Sequence, residues 1–168
     1  MAGTRVQIRR AVPTDADAIA GVLLAAFKEF EPRYTLEGFR ATTPSALEIA
    51  VRLEEGPTWI AHDADQAIGT VSALYHGEEV YIRSMAVLPG AQATGVGSAL
   101  LAVVHEYAVS GGACRLTLAT TPFLSAAIRL YEKSGFQRAQ ERGDLHGTPL
   151  IVMYKELALR NTVPPGTP

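Results

Sequence analysis

A mixed α/β sheet, mostly antiparallel, flanked by helices and carrying one parallel strand pair, is the fold this sequence predicts. Three observations point to it. From Pro57 to Val87 the chain keeps a period of two over three segments on short connections, which makes consecutive antiparallel strands. The spacing then turns helical over Val96–Ser110 and returns to an apolar strand at Arg115. A strand–helix–strand crossover of that length is right-handed and leaves its two strands parallel. Finally, 168 residues with 48% hydrophobic and 19% charged side chains can bury a proper core, which excludes a disordered chain.

Each element has its own pattern. Val6–Arg10 alternates apolar and polar and reads as a first strand. Pro13, Thr14 and Asp15 open a helix, with Thr14 as N-cap, whose buried face is Ile19, Val22, Leu23, Ala26, Phe27 and Phe30. The stretch EFEPRYTLEGFRATTP holds Pro32, Gly38 and Pro44 and reads as a loop with a short turn. Ser45–Glu55 is a second, weaker helix with Ala46, Ile49, Ala50 and Leu53 inward. Thr58–Ala61 and Ala67–Leu74 make a hairpin around HDADQ, and Glu79–Val87 comes after the His76-Gly77 turn. After the helix Val96–Ser110, stopped by Gly111-Gly112, come a strand Arg115–Ala119 and a helix Leu124–Ser134 ended by Gly135. Phe136–Glu141 and Leu150–Glu156 close the sheet as a hairpin around GDLHGTP. Residues 1–160 read as one domain and 161–168 as a Pro/Gly-rich tail.

Charge and composition remove several classes of function. A net charge of −2 and a pI near 6.1 offer no general attraction to nucleic acid or to an anionic membrane. The single cysteine, Cys114, forms no intramolecular disulfide and reads as a small buried residue. His62, His76, His105 and His146 are scattered without an i, i+4 pair, so no metal site is expected. The N-terminus lacks the apolar core of a signal peptide, no run is long enough to span a bilayer, and a cytoplasmic protein is the expectation. Trp59, on an early strand, reads as core.

The chemistry concentrates in QATGVGSALL, residues 92–101, where Gly95 and Gly97 stand between a strand and a helix. A helix N-terminus leaves backbone N–H groups unpaired and partly positive, and glycine removes the Cβ atoms that would hold a phosphate away. The spacing alone equally allows a tight turn with no ligand. Two phosphate motifs fail: a dinucleotide fingerprint needs a small residue where Leu100 stands, and a nucleotide-triphosphate loop needs a Gly-Lys-Ser/Thr run that is missing.

Read with its neighbours, MAVLPGAQATGVGSALL resembles the acyl-CoA-binding segment of the GNAT N-acetyltransferase superfamily, Gln/Arg-x-x-Gly-x-Gly/Ala, here Gln92, Gly95 and Gly97. AAIRLYEKSGF resembles the same family's second signature, and the similarity covers about residues 5 to 157. The resemblance implies a GNAT-like sheet with its parallel strand pair at the acyl-CoA site and acetyl-CoA as co-substrate. It implies an amine as acceptor, and a homodimer as a common state among relatives. By position it implies that Met85, Ala86 and Val87, on a strand bulged in the family, hold the pantetheine arm. The backbone of Gln92, Ala93, Thr94, Gly95, Val96, Gly97 and Ser98 would hold the pyrophosphate.

Tyr131 matches the tyrosine the family uses on the leaving sulfur; on its own it also reads as a ring packed beside Leu130 and Phe136. A phenol of pKa about 10 giving its proton to a thiolate of about 8.5 is uphill by roughly 2 kcal/mol, so a hydrogen bond with late transfer is expected. Deprotonating an alkyl amine at neutral pH costs roughly 4.5 kcal/mol. Some relatives use a strand glutamate for this, but the aligned position is Tyr81. A water held by Tyr81, or by Glu79 on the same strand face, is a candidate proton relay, and Glu79 otherwise reads as a solvated strand end. A second departure is Leu124, where relatives often carry an asparagine. Ser125 beside it is equally a cofactor contact or an N-cap. The resemblance places the acceptor near the segment after the first helix and near the last hairpin. Glu29, Glu31, Tyr34 and His146 are therefore acceptor candidates, though acids facing water, packed aromatics and an exposed turn histidine fit equally well. The departures at Tyr81 and Leu124 keep open a non-catalytic acyl-CoA sensor as the alternative to an N-acetyltransferase, and Tyr131 argues against it.

Overall fold

The computed structural model describes residues 5–158, so the predicted tail 161–168 lies outside the described residues. Seven strands form one sheet: β1 (Gln7–Arg10), β2 (Thr58–Asp63), β3 (Gln66–His76), β4 (Glu79–Val87), β5 (Arg115–Thr120), β6 (Gln137–Leu145) and β7 (Thr148–Glu156). Their spatial order is β1-β2-β3-β4-β5-β7-β6, and only β4–β5 is parallel. The mixed, mostly antiparallel sheet is the one the hydrophobic periods predict.

Five helices cover it: α1 (Ala16–Phe27), α2 (Leu36–Thr42), α3 (Ala46–Glu55), α4 (Val96–Ser110) and α5 (Ser125–Lys133). On one face α1 and α3 bury Ile19, Val22, Leu23 and Ile49 against Ile60 and Ala86. On the other, α4 packs Leu100 and Val104 onto Val71, Val80, Ile82, Leu116 and Met153, and Trp59 joins this core. Strand alternation divides the two cores: Val80 and Ile82 turn to α4, so Tyr81 and Arg83 turn to the α1/α3 side.

Two irregularities of β4 create room for a ligand. Opposite β3, Thr70 pairs with Ala86 while Ser72 pairs with Arg83, so Ser84 and Met85 face the single residue Val71 in a β-bulge. Ser84 takes φ = 53° there. Opposite β5, pairing runs only from Glu79↔Arg115 to Ile82↔Leu118. Beyond Ile82, β4 stays with β3 and β5 stays with β7, so the parallel pair opens into a wedge.

Three local expectations need correction. The first helix is entered through a 3₁₀ turn, Pro13–Asp15, and Thr14 caps nothing. Asp15 organises this start: its carboxylate accepts the Val12 N–H at 2.8 Å and both Arg9 guanidinium nitrogens at 2.8 Å. The segment expected as a loop is largely helical, with a 3₁₀ run Lys28–Arg33 and then α2, capped by the Thr35 hydroxyl on the Gly38 N–H at 3.0 Å. Gly38 is not a breaker. A Cβ there would collide with the Thr148 hydroxyl, so glycine lets α2 lie against the last hairpin. That hairpin is longer than its periodicity suggests and turns tightly at His146-Gly147, both at positive φ.

Candidate active site

The wedge between β4 and β5 opens onto a cleft of about 560 Å³. Met85, Ala86 and Val87 form its floor, the turn Gln92–Ser98 one end, and Leu124, Ala127, Leu130 and Tyr131 of the α5 region the opposite wall. Ala26 and Phe27 of α1 and Phe30 of the following 3₁₀ run close it from the side. Its surface is predominantly apolar with a polar end, the character of a site for an elongated ligand with an anionic terminus.

The polar end is made by backbone. The first bond of α4 is Ala99 N–H to the Gly95 carbonyl, and Gln92 N–H bonds the Pro89 carbonyl. Among the described residues, the N–H groups from Ala93 to Ser98 therefore have no main-chain acceptor. Their surface is open, since Gln92–Gly95 and Ser98 are exposed while Val96 is buried below them. The two glycines act differently. Gly95 sits at φ = 90°, a conformation that favours glycine, with free space around it. A Cβ at Gly97 would lie 2.7 Å from a Leu130 methyl, so Gly97 lets α4 approach α5. The Gln92 side chain ties the turn back to β4, donating to the Val87 carbonyl at 3.2 Å, and Thr94 closes it by donating to the Ala91 carbonyl at 2.5 Å.

These groups fit an acyl-CoA. Diphosphate needs convergent N–H donors at a helix start, and the run from Ala93 to Ser98 supplies them. An amide-bearing arm needs extended backbone free to pair, and the edge of β4 beyond Ile82 supplies that. Arg129 and Lys133, i and i+4 on α5, add two cations at the rim. Sequence reasoning misses them, although their helical spacing on one face is visible in SAAIRLYEK.

Tyr131 lines the cleft from α5. It is 7% exposed, packs edge-on to Phe136 at 5.8 Å, and burial pushes its phenol well above the ordinary tyrosine value, with nearby Tyr81 adding to the rise. Tyr81 is half-buried, stacks on His76 at 5.8 Å, and is likewise raised by burial, partly offset by Arg83. Glu79 lies at the far end of β4, where Arg115 holds its carboxylate at 3.2 Å and also binds Glu156. No carboxylate lines the cleft among the described residues.

The remaining predicted residues are dispersed around it. Ser125 is exposed at the start of α5, caps nothing, and is not part of the cleft wall. Glu29 is exposed, and Glu31 pairs with Lys28. Tyr34 is buried in an aromatic cluster, 4.9 Å from Phe123 and 5.8 Å from Phe39, and burial raises its phenol. His146 exposes its ring, while its carbonyl accepts the Thr35 hydroxyl at 2.8 Å. Instead of these side chains, Phe27 and Phe30 reach the cleft. Among the described residues no three His, Cys, Asp or Glu side chains gather as a metal site.

A family profile described as acetyltransferase (GNAT) family matches residues 22–136, from α1 through the Tyr131 region. The chain belongs to the GNAT acetyltransferase family. GNAT membership makes it an acyl-CoA-dependent acetyltransferase. A relative from Bacillus subtilis (strain 168), the uncharacterized N-acetyltransferase YhfO, is 30% identical over 148 residues, covering 84% of this chain and 95% of that one. Among solved structures, the PaiA N-acetyltransferase of Thermoplasma acidophilum in complex with coenzyme A superposes with a TM-score of 0.77. It shares 18% identity and covers 91% of this chain and 99% of its own. The IAA acetyltransferase of Bacillus cereus ATCC 14579 gives a TM-score of 0.68 at 23% identity, covering 91% and 100%. At such identities the two structures establish the GNAT fold alone. In this GNAT chain the parallel pair lies between β4 and β5, and no helix among the described residues is long and apolar enough to cross a membrane.

Proposed function

We propose that this protein moves the acetyl group of acetyl-CoA directly to an amine of a small molecule or peptide, both substrates being held at once. The observation that carries the reading is the β4–β5 wedge, with the N-terminal turn of α4 at one end and the buried Tyr131 phenol in its wall. That a structural relative is described in complex with coenzyme A supports the choice of donor.

When bound, acetyl-CoA supplies the activated acyl group as a thioester. The chain's own residues then have distinct tasks. N–H groups from Ala93 to Ser98 bind the diphosphate, and Arg129 and Lys133 add charge at the rim. The backbone of Met85 and Val87, presented by the bulge, binds the arm. The Tyr131 hydroxyl holds its proton toward the sulfur position. Its raised pKa makes it a poor acid, but the same dry surroundings raise a departing thiol, so the two stay close enough for a hydrogen bond followed by proton transfer.

Among the described residues no carboxylate lines the cleft to take the amine's proton, so the chain draws on the free-base fraction of its acceptor. Tyr81, its phenol raised by burial, stays neutral over the working range and takes no proton from the amine. The test is thiol release from acetyl-CoA across an amine panel, with wild type beside Tyr131→Phe. The variant is expected to lose about 100- to 1,000-fold in kcat, in the range of general acid catalysis, while its acetyl-CoA affinity stays within about threefold. Equal turnover by the two proteins removes Tyr131 from the chemistry, and binding without turnover for any amine makes the chain an acyl-CoA sensor.

A further inference from the structure

We infer that the acceptor amine carries a carboxylate, and that Arg52 of α3 and Arg83 of β4 receive it. The inference rests on the amine-transfer reading above and names its acceptor class.

The two guanidiniums are incompletely satisfied. Arg83 ion-pairs with Glu55 at 2.6 Å through one terminal nitrogen, but its Nε–H is buried and has no hydrogen-bond partner. Arg52 makes only long contacts, 3.3 Å to the Ser84 hydroxyl and 3.5 Å to the Ala41 carbonyl. Among the described residues, no carboxylate lies within ion-pair distance of Arg52. The acids that face it are Glu55 and Glu48. Glu55 is engaged by Arg83, and Glu48 is committed to the capping box of α3, accepting the Ser45 N–H at 2.7 Å. Two cations thus share the single carboxylate of Glu55, which Arg83 already holds. Burial, reinforced by the charge of Arg83, holds the Arg52 pKa below its ordinary value. Buried donors without acceptors are costly, and a planar guanidinium fork matches the two oxygens of a carboxylate bidentately.

Position separates this receptor from the phosphate end of the cleft. Met85 packs with the core on the α4 side, whereas Arg83 shares the opposite face with Tyr81. Arg83 immediately precedes the bulge residues Ser84 and Met85, Arg52 reaches the Ser84 hydroxyl, and Met85 lines the cleft, so the two arginines stand beside its floor. Helix α2 flanks the receptor. One end is fixed to the last hairpin by Thr35 N–H donating to the Thr148 hydroxyl at 3.0 Å, and the other presents the Ala41 carbonyl to Arg52. The carboxylate takes no part in the bond exchange. It anchors the molecule so that the amine reaches the wedge as a neutral nucleophile.

The test is calorimetric binding to protein saturated with coenzyme A. The probes are the L-amino acids, β-alanine and 4-aminobutyrate, each beside its carboxamide. Binding is the decisive readout because amidation also lowers the amine pKa and favours the amide in turnover. At least one acid is expected to bind about 10- to 100-fold more tightly than its amide, as a charge-assisted bidentate contact allows. That preference should vanish in Arg52→Gln, persist in part in Arg52→Lys, and grow in Glu55→Gln, which removes the competing carboxylate. Coenzyme A affinity, measured on the same variants, should not move. If no acid outbinds its amide, or if Arg52→Gln weakens both alike, the inference is wrong while the transfer reading stands. Tight acid binding with no thiol release does the opposite, sparing the receptor and sinking the reaction.

Discussion

At the scale of single residues, the site separates proton handling from charge recognition. Tyr131 and Tyr81 are both pushed upward by burial, so neither phenolate forms in the neutral range. On the proposed reading the acceptor arrives unprotonated, and the pH profile should show it. The expected kcat/KM rises about tenfold per pH unit below the acceptor's own pKa and then levels, with no second limb below about pH 9. A Tyr81→Phe variant should keep that shape; an added ionisation near about 6 to 7, lost on that substitution, would reveal a base built around Tyr81. Far from the site, Asp15 shows the opposite shift. The Arg9 hydrogen bonds lower its carboxyl to about 2 against an ordinary 3.8. A depressed acid contributes stability that is complete above about pH 4 and fades as pH falls toward about 2. Because Arg9 is half exposed, the contribution is discounted to about 1 kcal/mol, or roughly 2–4 °C. Asp15→Asn should lower Tm by that amount at neutral pH, and the gap should close near pH 2, where the wild-type carboxyl is itself protonating.

Among elements, legibility tracks pattern strength. The sequence places β4 and α4 within the residue limits the structure shows, because strict alternation in EVYIRSMAV and an apolar helical stripe ended by Gly-Gly leave little choice. Residues 28–42 mislead, since Pro32 and Gly38 are breakers by composition, yet here a 3₁₀ run tolerates the proline and a tertiary contact demands the glycine. The glycine turn of the candidate site is legible for the same local reason that makes it a turn. The pairing of Arg52 with Arg83 is not, because a helix and a strand meet there through the fold and no spacing in the chain announces it. The α2–hairpin joint is likewise tertiary, and it is testable. Thr148 is 1% exposed and accepts the Thr35 N–H. Thr148→Val should cost about 1–3 kcal/mol in denaturant unfolding, the penalty of leaving that donor buried and unpaired. It should also raise the acceptor KM while leaving acetyl-CoA affinity alone. A drop in cofactor affinity instead would mean that α2 does not serve the acceptor side.

For the whole molecule, a seven-stranded sheet held by cores on both faces fixes the one place where two parallel strands come apart. The wedge costs hydrogen bonds between β4 and β5, and on the proposed reading a ligand arm pairing along β4 restores them. Ligand and fold are thereby coupled, so binding must stabilise the protein. Thermal unfolding with acetyl-CoA, beside ATP and NAD, measures this directly. At about 100 times its dissociation constant a ligand adds roughly 2.7 kcal/mol. For a chain of this size that raises Tm by about 5–11 °C. The expected result is such a rise with acetyl-CoA and little with ATP or NAD; no rise, or an equal one with ATP, would contradict a coenzyme A site in the wedge.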